Sequence, residues 1–180
     1  MRKIIASLFV SLDGVAEDPD SWHFPYFNDE MGEAVGATMA GSDAMLLGRV
    51  QYQQFAAYWP SSDDEFAGFM NGQKKYVVTT TLTEATWNNT EIISGDVLGG
   101  LQALKASEGK DIAVAGSLTL VWSLLKTGLL DELQLFVHPI VVGKGRRWFD
   151  GLDNVKLRLA SSETFTTGVS NQIFTPDRAA

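Results

Sequence analysis

The stretch VAGSLTLVWSLL, residues 114–125, joins two kinds of pattern at two small residues. An apolar run from Asp111 to Ala115 stops at Gly116-Ser117, and apolar residues then recur at the spacing of a helix. A turn built from such small residues either allows neighbouring elements to pack tightly or lets a ligand approach the backbone closely. The pattern predicts a buried strand followed by a buried helix and leaves both explanations open.

The same alternation continues along most of the chain. Short apolar runs predict strands at 4–10, 44–47, 75–78, 91–93 and 112–115, and amphipathic stretches predict helices at 28–39, 49–57, 63–70, 97–106 and 118–126. Strands without intervening helices are predicted at 132–142, 155–163 and 169–175. We therefore expect an α/β fold in one domain over residues 1–180, with a mostly parallel sheet, antiparallel C-terminal strands and helices on both faces.

Composition excludes several classes of protein and site. The net charge of −8 argues against a nucleic-acid partner. The chain has no cysteine, which excludes disulfides and thiolate chemistry, and its two histidines make a histidine-rich metal site improbable, so no metal is predicted. The basic, apolar start resembles a secretory signal, but no cleavage site follows and Asp13-Gly14 ends it, which favours a first strand. No apolar run is long enough for a membrane span, and we expect a cytoplasmic protein.

Glycines and polar residues follow the predicted strands where each one ends. These residues are Ser11-Leu12-Asp13-Gly14, Gly48-Arg49, Thr79-Thr80-Thr81 and Gly116-Ser117. The carboxyl ends of parallel strands share one edge of a sheet, where ligands bind. Helix N-termini with glycines fit a pyrophosphate, Arg49 fits a phosphate, and the threonine hydroxyls fit a ribose or its phosphate. Each signal alone is also typical of an ordinary turn, and only their convergence predicts a dinucleotide site.

Common nucleotide and hydrolase motifs do not occur. The chain has neither the G-x-G-x-x-G nor the G-x-x-x-x-G-K-[ST] pattern, and it has no G-x-S-x-G nucleophile elbow. The basic segment 143–147, GKGRR, follows a strand but leads into Trp148-Phe149 rather than a helix. It is interpreted as a glycine turn with solvated cations or, as the weaker alternative, as a second contact near a cofactor or substrate.

Four stretches together resemble a known family. They are SLDGVAE (11–17), LLGRVQYQQF (46–55), YVVTTTL (76–82) and VAGSLTLVWSLLKTGLLDELQLFVHPIVVGKGRRWF (114–149). The chain resembles the dihydrofolate reductase-like fold, and most closely the reductase domain of riboflavin biosynthesis and its free-standing relatives. The combination of GLLDEL and HPIVVGKG is the most specific part of this resemblance.

The resemblance implies an NADPH-dependent reductase that passes hydride to a small heterocycle of the pteridine or aminopyrimidine type. It implies phosphate contacts at Gly48 and Arg49, the adenosine ribose at Thr79, Thr80 and the adjoining Thr81, the pyrophosphate at Gly116, Ser117 and Leu118, and the nicotinamide at Val10 and Ala16. Two positions depart from the family pattern. Ser117 stands where a second glycine is common, and Val15 replaces a basic residue usual in the riboflavin enzymes, which weighs against their ribosylaminopyrimidine substrate.

Candidate catalytic and substrate-binding residues lie between positions 13 and 30. A carboxyl group near the nicotinamide would supply a proton, and Asp13 and Asp29, with Glu30 beside it, are the candidates. Each is also typical of a turn or of the first turn of a helix. Trp22 and Phe27, within an aromatic segment, either stack on a planar substrate or cover the core. We expect His138 to have a structural role, and His23 is a weaker candidate for contact with the substrate.

Two other classes of function remain open at this point. One is a non-catalytic NADP(H)-binding module or dimerising scaffold, which would bind the cofactor without oxidising it. The other is a metal-assisted hydrolase using Asp13, His23 and Asp29, which the scarcity of histidine disfavours. A homodimer is also expected, because the C-terminal antiparallel strands leave a sheet edge that needs covering.

Overall fold

The structure is a computed structural model that describes residues 1–64 and 66–177. Its described residues form eight strands: β1 (Ile4–Ser11), β2 (Ser42–Gly48), β3 (Lys74–Val78), β4 (Thr90–Ile93), β5 (Asp111–Ala115), β6 (Glu132–His138), β7 (Leu157–Thr164) and β8 (Ser170–Pro176). They also form five α-helices: α1 (Asp29–Gly41), α2 (Arg49–Tyr58), α3 (Ala67–Gly72), α4 (Val97–Ala106) and α5 (Leu118–Lys126).

All eight strands belong to one sheet with the order β4-β3-β2-β5-β1-β6-β8-β7. The six strands from β4 to β6 in this order are parallel, whereas β8 pairs antiparallel with β6 and β7 pairs antiparallel with β8. The predicted α/β architecture is confirmed, including its antiparallel C-terminal strands. Helices carry the chain back to the starting end of the sheet between most of these strands, and the segment 79–89 does so between β3 and β4 without a helix.

Helices cover both faces of the sheet, as predicted. On β1, Ile4, Ala6, Leu8 and Val10 pack into the cluster formed with α4 and α5. Phe9 points the other way and packs with Met31 of α1. This alternation explains why β1 is apolar except at Ser7 and Ser11, since a strand buried on both faces has no solvent side.

Most predicted elements match to within two residues at each end, and two differ by more. The helix expected at 63–70 is instead α3, because Asp64 accepts a hydrogen bond from Phe66 N–H in a local turn that competes with helix formation; residue 65 lies outside the described residues. The strand expected at 132–142 ends at His138, because Pro139 has no N–H to donate to a ladder.

Strand β7 forms one edge of the sheet, and nearly all its residues are exposed. Leu159 on this strand is 53% exposed. No helix within residues 1–64 and 66–177 combines the length and apolar character needed to cross a membrane. The predicted domain runs to residue 180, but its last three residues lie outside the described part of the chain.

Candidate cofactor and substrate site

The starts of α2 and α5 touch at the carboxyl edge of the sheet. Gly48, at the end of β2, donates its backbone N–H to Ser117 Oγ at 2.9 Å. A Cβ placed on Gly48 would lie 3.2 Å from that same oxygen, so a larger residue would require the Ser117 side chain to shift slightly. The contact brings together two segments that the sequence analysis assigned separately to phosphate binding.

Two consecutive residues with positive φ turn β5 into α5. Gly116 has φ +69°, and Ser117, the N-cap of α5, has φ +59°. A Cβ on Gly116 would lie 2.6 Å from Gln51 Oε1 of α2, but this atom ends a flexible side chain that can move away. The left-handed backbone conformation therefore accounts for Gly116 better than packing does, and the approach of a ligand to this turn stays a prediction.

The threonines after β3 fall into two groups. Thr79 is buried, and its Oγ1 accepts hydrogen bonds from Thr81 N–H at 3.1 Å and Leu82 N–H at 3.0 Å, which closes the turn. The side chains of Thr80 and Thr81 are exposed at the same edge of the sheet. Their hydroxyls are therefore accessible to a ligand, whereas that of Thr79 shapes the turn.

Two arginines lie near these helix starts. Arg49 is exposed and donates to Gln53 Oε1 at 2.9 Å along α2. Arg146 comes from the GKGRR segment, lies 5.0 Å over the ring of Trp122, and donates to Thr119 Oγ1 at 3.1 Å in the first turn of α5. The fold thus brings the basic segment to the start of α5, a placement that the sequence left open.

The turn after β1 holds the GKGRR segment in place. The carboxylate of Asp13 accepts hydrogen bonds from Ser11 Oγ at 2.6 Å, Val142 N–H at 3.1 Å and Gly143 N–H at 2.9 Å. The bond from Ser11, with those from the two backbone groups, lowers the pKa of Asp13 to about 2. Asp13 is therefore ionised at neutral pH and anchors the loop, and its role as a proton source stays a prediction.

Two cofactor candidates implied by the resemblance belong to this framework. Ala16 donates its backbone N–H to Arg146 O at 3.0 Å, so it lies against the same loop. Leu118 begins α5 and is buried in the core cluster, where only its backbone faces the turn. Ala16 packs against that cluster as well.

A cleft of about 320 Å³ lies beside Asp13 on the face covered by α4 and α5. Val10, Asp13 and Phe174 line it together with Trp148 and Phe149. Sequence reasoning did not assign these last three aromatic residues to a site, although Trp148 and Phe149 directly follow the GKGRR segment. A larger groove of about 400 Å³ lies between β4 and α4, but none of its lining residues follows β1, β2 or β5.

The aromatic segment between β1 and α1 lies on the opposite face. Trp22 is buried, and its ring is edge-on to His138 with centroids 5.2 Å apart. Phe27 is 40% exposed and lies 6.1 Å from the ring of His23, which stacks on Phe9. Because Phe9 points toward α1, Trp22 and Phe27 do not share the cleft that Asp13 lines.

The acidic residues of α1 lie at its first turn. Asn28 caps the helix by accepting Met31 N–H at 3.1 Å. Glu30 accepts hydrogen bonds from Thr166 Oγ1 at 2.6 Å and Thr166 N–H at 2.8 Å, which lower its pKa. Asp29 is exposed. Across residues 1–64 and 66–177, no three His, Asp or Glu side chains are grouped to hold a metal ion, so Asp13, His23 and Asp29 form no such site.

The comparison with protein families decides the relationship. The model of the RibD C-terminal domain matches residues 2–170. The chain belongs to this family. The uncharacterised protein YyaP of Bacillus subtilis (strain 168) is 29% identical over 190 residues, which cover 96% of this chain and 94% of YyaP.

Solved structures share the fold of this RibD C-terminal domain at low sequence identity. A Shewanella sp. PV-4 protein named for riboflavin biosynthesis superposes with a TM-score of 0.80 at 20% identity, covering 98% of this chain and 99% of the other. Dihydrofolate reductase from Enterococcus faecalis, solved with NADP(H), superposes with a TM-score of 0.67 at 11% identity, covering 97% and 96%. The dihydrofolate reductase-like fold is thereby confirmed.

Proposed function

We propose that this RibD C-terminal domain is an NADPH-dependent reductase that transfers hydride to a small heterocycle of the pteridine or aminopyrimidine type. The observation that carries the proposal is the hydrogen bond from Gly48 to Ser117, which holds the N-termini of α2 and α5 together. Helix N-termini present free N–H groups and partial positive charge, which suit a pyrophosphate. The NADP(H) in the Enterococcus reductase of the same fold supports the choice of cofactor.

The residues at the sheet edge fit such a dinucleotide. The phosphates would lie at Gly48, Arg49, Gly116, Ser117 and the backbone of Leu118, the adenosine ribose at the threonine turn 79–81, and the nicotinamide at Val10 and Ala16. Arg49 and the exposed hydroxyls of Thr80 and Thr81 would select NADPH over NADH, since the extra phosphate needs donors and positive charge. Arg146, beside Thr119, adds a second cation near α5.

The bound cofactor would supply the hydride, and the chain would orient the substrate and manage a proton. The carboxylates of Asp13 and Glu30 accept several hydrogen bonds that favour their ionised forms. Asp29 is exposed in the first turn of α1. Asp13 and Asp29 remain the proposed proton sources, and the bonding of Asp13 favours Asp29 of the two.

Nucleotide binding tests the proposal directly. We expect NADPH to quench protein fluorescence and raise the melting temperature at lower concentration than NADH does. Arg49→Ala should weaken NADPH binding by about tenfold or more, since a charge-assisted contact is lost. Lys126→Ala is the control, because Lys126 is exposed in the last turn of α5, at the end of that helix away from the proposed site. Failure of every pyridine nucleotide to bind would overturn the proposal.

A non-catalytic NADP(H)-binding module is the second candidate. The engagement of Asp13 and Glu30 in loop and helix contacts favours it, because neither group is then free to give up a proton. Such a module would bind NADPH as tightly as an enzyme does. It would not oxidise NADPH with pteridines, aminopyrimidines or quinones, whereas the reductase would oxidise it with at least one of them.

We also propose that the protein forms a homodimer through the exposed edge strand β7. Edge strands leave backbone N–H and C=O groups unpaired, and a second copy would cover them. Light scattering during gel filtration should report twice the monomer mass. Leu159→Lys should shift the protein toward monomer, because a charge at a 53% exposed apolar position opposes apolar association.

A further inference from the structure

Both histidines of the chain lie in one buried aromatic cluster at the carboxyl ends of β1 and β6. His23 and His138 are 4% and 0% exposed, and their rings are perpendicular with centroids 6.0 Å apart. Phe9 stacks on His23 at 4.5 Å, while Trp22 and Tyr26 meet His138 edge-on at 5.2 and 5.7 Å. We call these five residues the histidine cluster.

The ring nitrogens of the two imidazoles differ in their partners. His138 Nδ1 lies 2.8 Å from Phe136 O and 3.2 Å from Val10 O. Carbonyl oxygens only accept, so Nδ1 carries the hydrogen and Nε2 presents a lone pair. His23 Nε2 faces Asp20 Oδ1 at 3.8 Å. Within the described part of the chain, His138 Nε2 and His23 Nδ1 are buried without a hydrogen-bond partner.

His138 Nε2 is an acceptor at neutral pH, and His23 Nδ1 is an acceptor in the tautomer that directs the N–H of Nε2 toward the Asp20 carboxylate. Burial lowers the pKa of both histidines, so both imidazoles are neutral there. A buried acceptor without a donor is costly, and native proteins supply a donor to nearly all such atoms. The chain supplies these acceptors and aromatic walls at this place, and the donor, an ordered water or the N–H of a ligand, has to come from outside the chain.

We propose that His23 and His138 are the hydrogen-bond acceptors that bind the N–H edge of a neutral, planar nitrogen heterocycle. The inference rests on the proposed function and names the chemistry by which its substrate would be recognised. Trp22 and the exposed ring of Phe27 would flank the flat faces of the heterocycle. The segment 19–27 that carries these residues contains only single-turn 3₁₀ helices, so admitting a ligand breaks few backbone hydrogen bonds.

The acceptor role makes binding sensitive to pH in one direction. Among the described residues, Asp20 faces His23, and Tyr26 is the other titratable side chain against His138. Protonation of either imidazole turns its free nitrogen into a donor, which opposes a ligand N–H. Affinity should therefore fall as the pH drops through the histidine pKa values. Carboxylate acceptors would keep binding down to about pH 4.

Nitrogen NMR of the histidine-labelled protein tests the site without catalysis. The chain has only two histidines, so every imidazole signal belongs to this pair, and His23→Phe assigns them. The probes are uracil, which has two ring N–H donors, and 1,3-dimethyluracil, which has the same ring and none. With NADP⁺ present, uracil should shift the signals of both free nitrogens and lose affinity on acidification, and 1,3-dimethyluracil should do neither.

Variants of His138 separate acceptor chemistry from packing. His138→Phe keeps an aromatic ring without an acceptor and should weaken uracil binding by about tenfold or more. His138→Gln restores an acceptor oxygen and should lose less uracil affinity than His138→Phe does. Equal binding of the two probes, no uracil binding, or affinity independent of pH would overturn the proposal using wild-type protein alone, whether or not the variants fold. A separate titration with NADPH tests the proposed reductase function independently of uracil binding.

Discussion

The carboxylate of Asp13 accepts a hydrogen bond from the backbone N–H of Gly143 at 2.9 Å, joining positions 130 residues apart. This bond and its companion from Val142 attach the turn after β1 to the loop after β6. The attached loop carries Arg146 to the start of α5. The position of the basic segment therefore depends on acidic residues in another part of the sequence, Asp13 and also Glu17, whose Oε2 accepts Arg146 N–H at 3.1 Å.

Replacing Asp13 should loosen that loop and alter the acid stability of the protein. Asp13→Asn keeps the shape but presents an amide that accepts fewer bonds, so we expect a lower melting temperature at neutral pH. The pKa of Asp13 is lowered from 3.8 to about 2. The ionised Asp13 carboxylate therefore stabilises the folded protein fully above about pH 4, and this stabilisation is lost as the pH falls toward 2. As the pH falls through this range, the melting temperature of Asp13→Asn should drop less than that of the wild type. Parallel plots of melting temperature against pH for the two proteins would contradict the anchor role of Asp13.

Substitutions of Ser117 should separate a hydrogen bond from backbone strain. Ser117→Ala loses the bond to Gly48 but keeps a side chain at φ +59°, so it should lower the free energy of unfolding by about 1 kcal/mol. Ser117→Gly loses the same bond and relieves about 1–2 kcal/mol of left-handed strain, so it should stay close to wild type or above. Urea unfolding measures both, with exposed Ser123→Ala as control. Equal losses in the two variants would show that the turn is unstrained.

Lys75 should give the protein a distinctive alkaline stability profile. It is fully buried against the ring of Trp87 at 4.2 Å and donates to Asn71 O and Gln73 O. Desolvation lowers its pKa from 10.5 to about 8. Between these values the unfolded chain binds the proton that the folded chain has released, so stability rises with pH by up to about 3 kcal/mol.

Lys75→Met should remove this rise, which urea unfolding from neutral to alkaline pH would measure. Lys74→Met is the matched control, because Lys74 is exposed on the same strand and pairs with Glu91 at 3.1 Å. The difference between the two variants isolates the buried ammonium from all other alkaline titrations. If the free energy of unfolding of the wild type changes with pH as that of Lys75→Met does, the proposed lowering of the Lys75 pKa by burial is wrong.

The neighbouring acids of α1 should differ in their effects on turnover. If Asp29 is the proton source, Asp29→Asn should lower NADPH oxidation by about 100-fold or more while leaving NADPH affinity unchanged. Glu30→Gln should instead weaken the contact with Thr166 and lower the melting temperature, because its carboxylate accepts bonds from that residue. Steady-state rates and nucleotide titrations of both variants check this, and normal rates in Asp29→Asn would remove it as a candidate.

Local sequence patterns determined the secondary-structure elements. The predicted helix at 118–126 matches α5, because apolar spacing and the small residues before it act within a few positions. Asn28 caps α1, a position that asparagine favours because its side chain accepts a backbone N–H of the first turn. The alternation of strands and helices fixed the parallel sheet, and with it the shared edge that holds Gly48 and Ser117.

Side-chain pairing was decided by the tertiary structure. The sequence favoured solvated cations in the GKGRR segment, expected only a structural role for His138, and gave no sign that Asp13 anchors a loop. His23 and His138 are 115 positions apart in number, and they meet only because β1 and β6 pair side by side. Periodicity reports which face of an element is buried, but a hydrogen bond across the sheet depends on strand order and register, which no local stretch of sequence contains.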